Sequence, residues 1–432
     1  MPARAASAST EPHERLRELT ERYPRVRRFT EGICAPLTIE DHVVQPSTQV
    51  SPAKWHLAHT SWFFETFVLE RWDPGHRPFD PSYRFLFNSY YETVGPRHAR
   101  PERGLLSRPG VEEVRGYRRS VDERMQRLLE REDLERPGEL RAVLELGLNH
   151  EQQHQELLYT DVKNTLSCNP LYPAYDPGAP APGGVAPPQR WLGFEEGVRE
   201  IGHAGDGFAF DNEAPRHRVF LESFELARRP VTNREWLAFV EDGGYDRAEL
   251  WLSDGWDVVR ARDWKAPLYW LGEGDERRQF TLHGLQELPL DAPASHLSYY
   301  EADAYASWAG ARLPSEAEWE VAVADQQVAG NLATGATPAP RPAPDPGDSP
   351  GLLQPYGDVW EWTSSAYGAY PGFRAEPGAL GEYNGKFMCN QIVLRGGSCA
   401  TPEGHVRPSY RNFFHPDARW QFSGVRLARS RL

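Results

Sequence analysis

The stretch Asn149-His-Glu-Gln-Gln-His-Gln-Glu-Leu-Leu158 decides how the first half of the chain folds. It continues an apolar pattern of helical spacing over residues 140–148, which predicts a helix. In a helix, His150 and His154 stand one above the other on the same face. A polar run inside such a helix is costly to bury unless it binds something. We therefore interpret the two histidines as half of a metal site.

A second polar interruption, at residues 51–65, strengthens this interpretation. A histidine pair four residues apart also arises by chance on solvated helix faces, so the pair alone does not decide. The second stretch opens with Ser-Pro, as a helix start would, and places His56 and His59 among aromatic residues. Either histidine is a candidate for a further metal ligand.

Composition and charge narrow the class of protein. With 432 residues the chain is long enough for two or three domains with apolar cores. A net charge of -14 argues against nonspecific nucleic-acid binding, and no apolar run approaches the length of a membrane span. The first residues show no secretory signal, and the four cysteines are too widely spaced for a disulfide framework or a zinc knuckle. We expect a cytoplasmic protein without nucleic-acid or membrane partners.

Four helices are expected in the first half, with one long crossover between the second and third. Pro24 is expected to end the first helix, because proline cannot continue the hydrogen-bond ladder. Such a bundle can hold a metal in its core through ligands on facing helices. The predicted helices cover residues 12–23, 51–70, 111–131 and 137–162.

The second half differs from the first in composition and in the length of its apolar segments. Residues 170–190 are rich in proline and glycine and are expected to form an extended linker. Short apolar segments and glycine turns follow, which predicts an irregular α+β domain. A low-complexity stretch at 335–350 is expected to be a disordered insertion. The predicted division is a helical bundle at 12–169, the linker, and an α+β domain at 191–432.

Six phrases in the second half carry a family resemblance. Together they resemble the formylglycine-generating-enzyme, or sulfatase-modifying, domain with its C-type-lectin-like core. They are DNEAPRHRV at 211–219, PVTNREW at 230–236, RLPSEAEWE at 312–320, GDVWEWT at 357–363, LRGGS at 394–398 and GVRL at 424–427. The first half resembles a DinB-type bundle with the pattern His-x3-His-x-Glu. In this order, the two domains resemble the ergothioneine-biosynthesis sulfoxide synthases from about residue 16 to 429.

The resemblance implies a nonheme iron(II) centre. Its three histidine ligands match His59, His150 and His154, since the phrase Leu-Ala-His-Thr matches at His59 rather than His56. Glu156 then lies outside the ligand set. A site of two histidines and one carboxylate is the chemical alternative.

The implied reaction uses O2 to form a carbon-sulfur bond. A cysteine-type thiol is joined to C2 of the imidazole of hercynine, the Nα-trimethylated form of histidine, and the sulfur becomes a sulfoxide. A tyrosine donates a proton and an electron near the iron. The pair Tyr90-Tyr91 matches one branch of the family, and either residue could serve; the alternative is aromatic packing in a loop.

Further matches imply substrate contacts. Gln153, Asn412 and Phe413 correspond to hercynine-binding positions, and Trp420 is a further aromatic candidate that could equally be a core residue. Phe414 stands where γ-glutamylcysteine-using members carry aspartate, which favours free cysteine as the thiol. The carboxylate of that thiol needs a cation, for which arginine is suited. The candidates are Arg97, Arg100 and Arg103.

Several alternatives remain open from the sequence. A selenoneine synthase would join a selenosugar to hercynine at the same iron site, and an ovothiol-type enzyme would act on histidine. A zinc thiol transferase is possible because three histidines suit zinc equally well. A noncatalytic lectin-like binding module would leave the histidines unexplained. Cys399 lacks the second cysteine that active formylglycine-generating enzymes need, so the domain is interpreted as a scaffold.

Overall fold

The computed structural model describes residues 10–131, 136–178, 183–345, 347, 351–375, 381 and 384–431. The chain divides into two compact units, with the main boundary between Cys168 and Asn169. The first unit is helical and the second mixes helices and strands, so the predicted α+β fold class is confirmed. Within the described ranges, no helix combines the length and the apolar character needed to cross a membrane.

The first unit is built on four long helices joined by shorter ones. The helices are α1 Thr10–Cys34, α2 Ala53–Phe64, α3 Glu70–Trp72, α4 Tyr83–Leu86, α5 Val111–Leu129 and α6 Pro137–Ser167. Helix α2 continues through a π-helical segment, Glu65–Leu69, and a 3₁₀ turn covers Arg100–Leu105. The long α6 packs against α1 and α2, and α2 packs against α5.

The prediction that Pro24 ends the first helix is wrong. Helix α1 runs through it to Cys34. A proline inside a helix removes one hydrogen bond and costs about 3 kcal/mol. The turn after Pro24 offsets this cost by burying Val26 and Arg27, and the latter forms ion pairs with α5 and α6.

Two features of sequence bring α2 and α6 close together. Every residue of α2 is buried, which explains its aromatic and small-residue composition. Gly147, on α6, lies against the rings of Phe63 and Phe64. A Cβ at this position would stand 2.8 Å and 2.7 Å from atoms of these two rings. Only glycine therefore permits this approach, one turn before His150.

Where the structure describes it, the second unit consists of short helices, small sheets and long connections. The helices are α7 Asn233–Glu241, α8 Ser253–Ala261, α9 Tyr299–Trp308 and α10 Glu316–Val323. The strands are β1 Trp191–Phe194, β2 Gly197–Ile201, β3 His217–Leu221, β4 Phe224–Ala227, β5 Trp270–Leu271, β6 Arg278–Thr281, β7 Gly284–Glu287, β8 Trp360–Ala366, β9 Ile392–Arg395, β10 Asn412–Phe414, β11 Ser423–Gly424 and β12 Ala428–Ser430. The four-stranded sheet has the order β10-β9-β8-β11, and smaller sheets have the orders β1-β4-β12, β5-β6-β7 and β2-β3.

The six sequence phrases supply much of the framework of this unit. In one of them, Ser315 and Glu318 form the capping box that begins α10. Glu361 of another phrase is fully buried and binds Arg426 of a third, with oxygen-nitrogen distances of 2.7–3.0 Å. The Trp319 indole donates to the same carboxylate at 2.7 Å. These motif residues hold the fold together.

The stretch expected to be a disordered insertion is held in place where the structure describes it. Thr337 donates to Asp176 at 2.6 Å, and the backbone N–H of Arg341 donates to Asp358 at 2.8 Å. Ala343 is buried. Composition alone misjudges residues 335–345 because their backbone is fixed by acceptors distant in sequence. Residues 346 and 348–350 lie outside the described ranges.

Candidate metal centre

Three histidine side chains from two helices converge in the core of the bundle. His59 lies on α2, and His150 and His154 lie one turn apart on α6. One ligand nitrogen of each lies within 4.8 Å of those of the other two, and all three side chains are buried. The Nε2 atoms of His59 and His150 are 3.2 Å apart. Among the described residues, this group contains no carboxylate, so Glu156 is not part of it.

Hydrogen bonds fix the tautomers of His59 and His154, and so determine which ring nitrogen of each keeps a lone pair. The Nδ1 of His59 lies 2.6 Å from the carbonyl oxygen of Phe87. Because a carbonyl only accepts, His59 is protonated at Nδ1 and keeps a lone pair at Nε2. The other imidazole is that of His154, whose Nδ1 contacts Nδ1 of His56 at 2.8 Å.

His56, the rival candidate ligand, lies behind His154. Its Nε2 is 3.0 Å from a carboxylate oxygen of Asp161, to which it donates. Its Nδ1 is then the acceptor for His154 Nδ1–H, which leaves the Nε2 lone pair of His154 for a metal. The sequence offered no signal for Asp161, which is five residues after Glu156 and eleven after His150.

Burial keeps the three imidazoles neutral. Desolvation lowers the pKa of His150 to about 3 and lowers the pKa values of His59 and His154 well below their usual range. Neutral imidazole is the form that binds a metal. Imidazole donors suit iron, zinc, copper and nickel. The residues therefore fit a divalent transition metal, and the donor set does not choose among these ions.

An ion-pair network fixes the position of α6 beside His150. Glu151 accepts from Arg27 on α1 at 2.9 Å, from Arg118 on α5 at 2.6 Å, and from Thr30 at 2.6 Å. Burial alone would raise the pKa of Glu151, but the two guanidinium groups outweigh it and lower the value to about 2. The charged carboxylate thus joins three helices at the residue next to a candidate ligand.

Tyr90 and Tyr91 stack on each other and reach the metal-site helix through a tryptophan. Their ring centroids are 4.7 Å apart. Tyr91 is fully buried and packs against Trp62 at 5.6 Å, and Trp62 stacks on His59 at 5.5 Å. Asn88 holds the loop by accepting from the Tyr91 N–H and donating to its carbonyl.

The three candidate arginines occupy different environments. Arg97 is exposed and pairs with Glu92 at 3.0 Å. Arg100 is exposed and donates to the carbonyl of Gln49. Arg103 is 4% exposed, and burial lowers the pKa of its guanidinium. Of the three arginines, it alone is buried.

The direct contacts of Arg103 are neutral groups, and the Asp161 carboxylate attracts it from farther away. Its terminal nitrogens donate to the hydroxyls of Ser51 at 2.9 Å and Ser89 at 3.1 Å. Its guanidinium lies 3.3 Å from the ring centroid of Trp55. Its Nε has no hydrogen-bond partner among the described residues.

The remaining candidates are distributed over both units. Gln153 is half-buried on α6 between the two histidines. In the second unit, Asn412 and Phe413 lie on β10, where Phe413 stacks on Tyr367 with centroids 3.9 Å apart. Sequence reasoning missed Tyr367, which follows β8 with no distinguishing motif.

Two aromatic candidates of the second unit contact each other. The rings of Phe414 and Trp420 meet edge to face at 5.4 Å. Trp420 is buried, as the core-residue alternative predicts. Its indole nitrogen has no hydrogen-bond partner in the described part of the chain.

The cysteines of the second unit form no pair. Cys399 is buried, Cys389 is exposed, and both are free thiols. The interpretation of the domain as a scaffold stays a prediction.

Comparison with known proteins identifies the family. The sulfatase-modifying factor enzyme 1-like domain matches residues 187–431, and the DinB superfamily matches residues 22–158. Hercynine oxygenase of Mycolicibacterium smegmatis is 35% identical over 406 residues, which cover 88% of this chain and 91% of the relative. The chain belongs to the hercynine oxygenase family. The resemblance inferred from the sequence phrases is confirmed.

Two further relatives agree with the family assignment. Hercynine oxygenase of Mycolicibacterium thermoresistibile is 36% identical over 88% of this chain and 87% of its own length. The protein of the same name from Mycobacterium tuberculosis is 34% identical over 88% of this chain and 91% of its own length. As a member of this family the protein is an oxidoreductase, which sets aside the noncatalytic binding module.

Proposed function

We propose that the protein is an iron(II)- and O2-dependent sulfoxide synthase of ergothioneine biosynthesis. It joins the thiol of cysteine to C2 of the hercynine imidazole and gives hercynyl-cysteine sulfoxide. Hercynine enters the proposal through the name of the relatives. The observation that carries the metal chemistry is the convergence of three buried, neutral imidazoles in the bundle.

His59, His150 and His154 would hold the iron. Three neutral ligands without a carboxylate leave positions for an anionic thiolate and for O2, as this chemistry requires. When bound, iron(II) supplies activation of O2 and stabilises the thiolate form of the substrate. The contribution of the protein is to hold the imidazoles in the ligating tautomer through Phe87 and His56.

Arg103 would bind the carboxylate of the thiol substrate. It is a buried cation whose direct neighbours are hydroxyls and an indole, so a carboxylate would supply the missing negative charge. Charged hydrogen bonds of this kind contribute about 1.5–3 kcal/mol. Arg97 and Arg100 are exposed, and we place them outside the subsite.

Tyr90 or Tyr91 would donate the proton and electron that favour carbon-sulfur bond formation over simple thiol oxidation. Their ring contacts, through Trp62, lead to the candidate ligand His59. The proposal extends to both residues because either phenol can supply a proton.

Hercynine binding is proposed for residues of each unit separately. On α6, Gln153 would hydrogen-bond the substrate. In the second unit, Asn412 would offer a polar contact, and Phe413 stacked on Tyr367 offers the aromatic surface that attracts a quaternary ammonium. Trp420 has a buried indole N–H without a partner among the described residues, so it remains a candidate donor.

Cysteine is preferred to γ-glutamylcysteine because of Phe414. Its ring packs against Trp420, and an apolar side chain cannot hydrogen-bond the additional glutamyl group. The aspartate that the resemblance associates with γ-glutamylcysteine is absent at this position.

The test is anaerobic reconstitution with iron(II), followed by air and separate donors. Hercynine is supplied with cysteine, γ-glutamylcysteine or a selenosugar, histidine with cysteine serves as the ovothiol-type control, and zinc-loaded protein runs in parallel. Mass spectrometry should find hercynyl-cysteine sulfoxide with iron and cysteine. Product from the selenosugar alone would show a selenoneine synthase, and product from histidine alone would show an ovothiol-type enzyme. Thiol transfer by the zinc-loaded protein without O2 consumption would show a zinc thiol transferase instead of a sulfoxide synthase.

A further inference from the structure

The imidazole of His59 lies between two indole rings. Trp55 stacks on one side with centroids 4.5 Å apart and an interplanar angle of 13°. Trp62 stacks on the other with centroids 5.5 Å apart and an angle of 16°. Both tryptophans are buried. Helical spacing explains the arrangement, because Trp55 precedes His59 by four residues and Trp62 follows it by three.

The two tryptophans differ in their electrostatic environments. The Arg103 guanidinium covers Trp55 at 3.3 Å from the ring centroid, and the described aromatic neighbours of Trp55 are His56, His59 and His154. A positive charge over an indole stabilises its neutral form and opposes removal of an electron. Trp55 is therefore the harder of the two to oxidise.

Trp62 continues into a chain of oxidisable rings. Its ring is 5.6 Å from that of Tyr91, which stacks on Tyr90 at 4.7 Å. Phe67 packs at 5.7 Å from Trp62 and 5.1 Å from Tyr91, so the π-helical segment holds this contact in place. Tyr90 is partly exposed and so forms the solvent end of the chain.

We propose that Trp62 relays one electron from the tyrosine pair to the metal centre, while Trp55 does not. This inference rests on the proposed function, since it needs an oxidant formed from O2 at the iron. The Trp62 indole would give up one electron and regain it from Tyr91, which in turn would regain it from Tyr90. Tyr90, the partly exposed end of the chain, would be left oxidised and lose its phenolic proton to water.

The environment of the Trp62 nitrogen agrees with transfer of an electron alone. Its indole N–H is buried and has no hydrogen-bond partner among the described residues. With no acceptor there, the proton stays on the indole while the electron passes. Trp62 is thus a relay residue for the electron between the tyrosine pair and the candidate metal ligand His59.

The test uses the full-length, iron-loaded protein with O2 and ascorbate but without thiol. Under these conditions oxidising equivalents leave the centre through the protein, and peptide mass spectrometry locates the oxidised residues. Wild-type protein is expected to carry oxidation on Tyr90 or Tyr91. Trp62→Phe should lose it and gain oxidation at the histidine ligands, whereas the matched variant Trp55→Phe should keep the wild-type pattern.

A second variant and an iron assay keep the outcomes separate. In Tyr90→Phe/Tyr91→Phe, the relay predicts that oxidation products accumulate on Trp62. Equal tyrosine oxidation in Trp62→Phe and Trp55→Phe, at equal bound iron, would overturn the relay and leave the proposed function intact. Wild-type protein that takes up no iron would overturn both.

Discussion

Two buried arginines, one in each unit, differ in how their charge is balanced, although the first unit also contains the paired network around Glu151. In the second unit, Glu361 and Arg426 are both fully buried and neutralise each other. In the first, Arg103 is buried, donates to neutral hydroxyls and forms no ion pair with the described residues, although the Asp161 carboxylate attracts it from farther away. Removing one partner of a buried ion pair leaves an uncompensated charge and lowers the stability of the fold. A buried cation that donates only to neutral hydroxyls is instead suited to bind an anionic substrate group.

Other paired arginines join helix α10 of the second unit to strand β9 and to the residue before β10. Glu316 binds Arg395 at 2.9 Å and Arg411 at 2.9 Å, and Arg395 also pairs with Glu320 at 3.1 Å. Each guanidinium meets a carboxylate close to it in space but distant in sequence. The comparison therefore predicts that damage to this cluster lowers stability, and that damage to the first cluster lowers binding and turnover.

The largest effect should follow removal of a candidate metal ligand. His150→Gln keeps a polar side chain of similar length but removes one of three imidazoles, so we expect loss of bound iron and of turnover. Metal analysis after dialysis and the product assay measure both. His98→Gln, outside the cluster, is the control. Full iron retention in His150→Gln would contradict the assignment of the site.

Glu361→Gln tests the paired cluster. It leaves the Arg426 charge buried without its counter-charge, which should reduce the free energy of unfolding by about 3 kcal/mol. Denaturant unfolding measures the loss. Glu195→Gln, in an exposed pair with Arg431, should change little. If Glu361→Gln unfolded like the wild type, the structural role given to this cluster would be wrong.

Arg103→Met should give the reverse result and so sharpens the comparison most directly. Removing a buried cation with no carboxylate partner should leave stability unchanged or raise it, while KM for cysteine rises about ten- to a hundredfold. Arg97→Met, in the exposed pair, serves as the matched control. A large loss of stability with an unchanged KM would place Arg103 with the structural arginines.

Asp161→Asn addresses the residues behind the ligands. An amide can replace the carboxylate without charge, so the preference of His56 for donating from Nε2 weakens and His154 is less firmly held. We expect iron affinity to fall about ten- to a hundredfold. Competition with a chelator measures this, with the unfolding midpoint as a check on the fold. Unchanged iron affinity would mean that Asp161 and His56 do not contribute to metal binding.

The smallest expected effect is the loss of folding stability in mild acid through protonation of Glu316. Burial raises the pKa of Glu316, but Arg395 and Arg411 outweigh it, so the folded value lies below the usual 4.5. The stability that Glu316 contributes is therefore present above about pH 4.5 and is lost as pH falls through the folded pKa. Glu316→Gln should flatten the acid side of the stability profile by at most about 1.4 kcal/mol per pH unit.

The helical spacing of His150 and His154 could be predicted from residue spacing, but the histidine of α2 that joins them could not. The spacing of His150 and His154 follows from the helix period, and their burial follows from the apolar residues around them. The choice of His59 over His56 depends on where α2 meets α6, and only the family resemblance supplied it in advance. Residue spacing alone leaves both histidines possible.

The same limit applies to Arg103 and to Pro24. Three arginines in one irregular segment look alike in sequence, and burial of one depends on Trp55, almost fifty residues earlier. Helix α1 continues past Pro24 because Arg27 meets acidic residues of α5 and α6. Long-range contacts outweigh the local preference in both cases.

Gly147 has no side chain, yet it bears on which ion the candidate metal centre can select. The spacing between α2 and α6 at Gly147 sets how near His59 comes to His150, so it limits the radius of the ion that both can bind. A single added methyl group would push against Phe63 and Phe64 and widen the gap between the ligands. The preference of the centre for one metal over another can therefore change by mutation without alteration of any ligand.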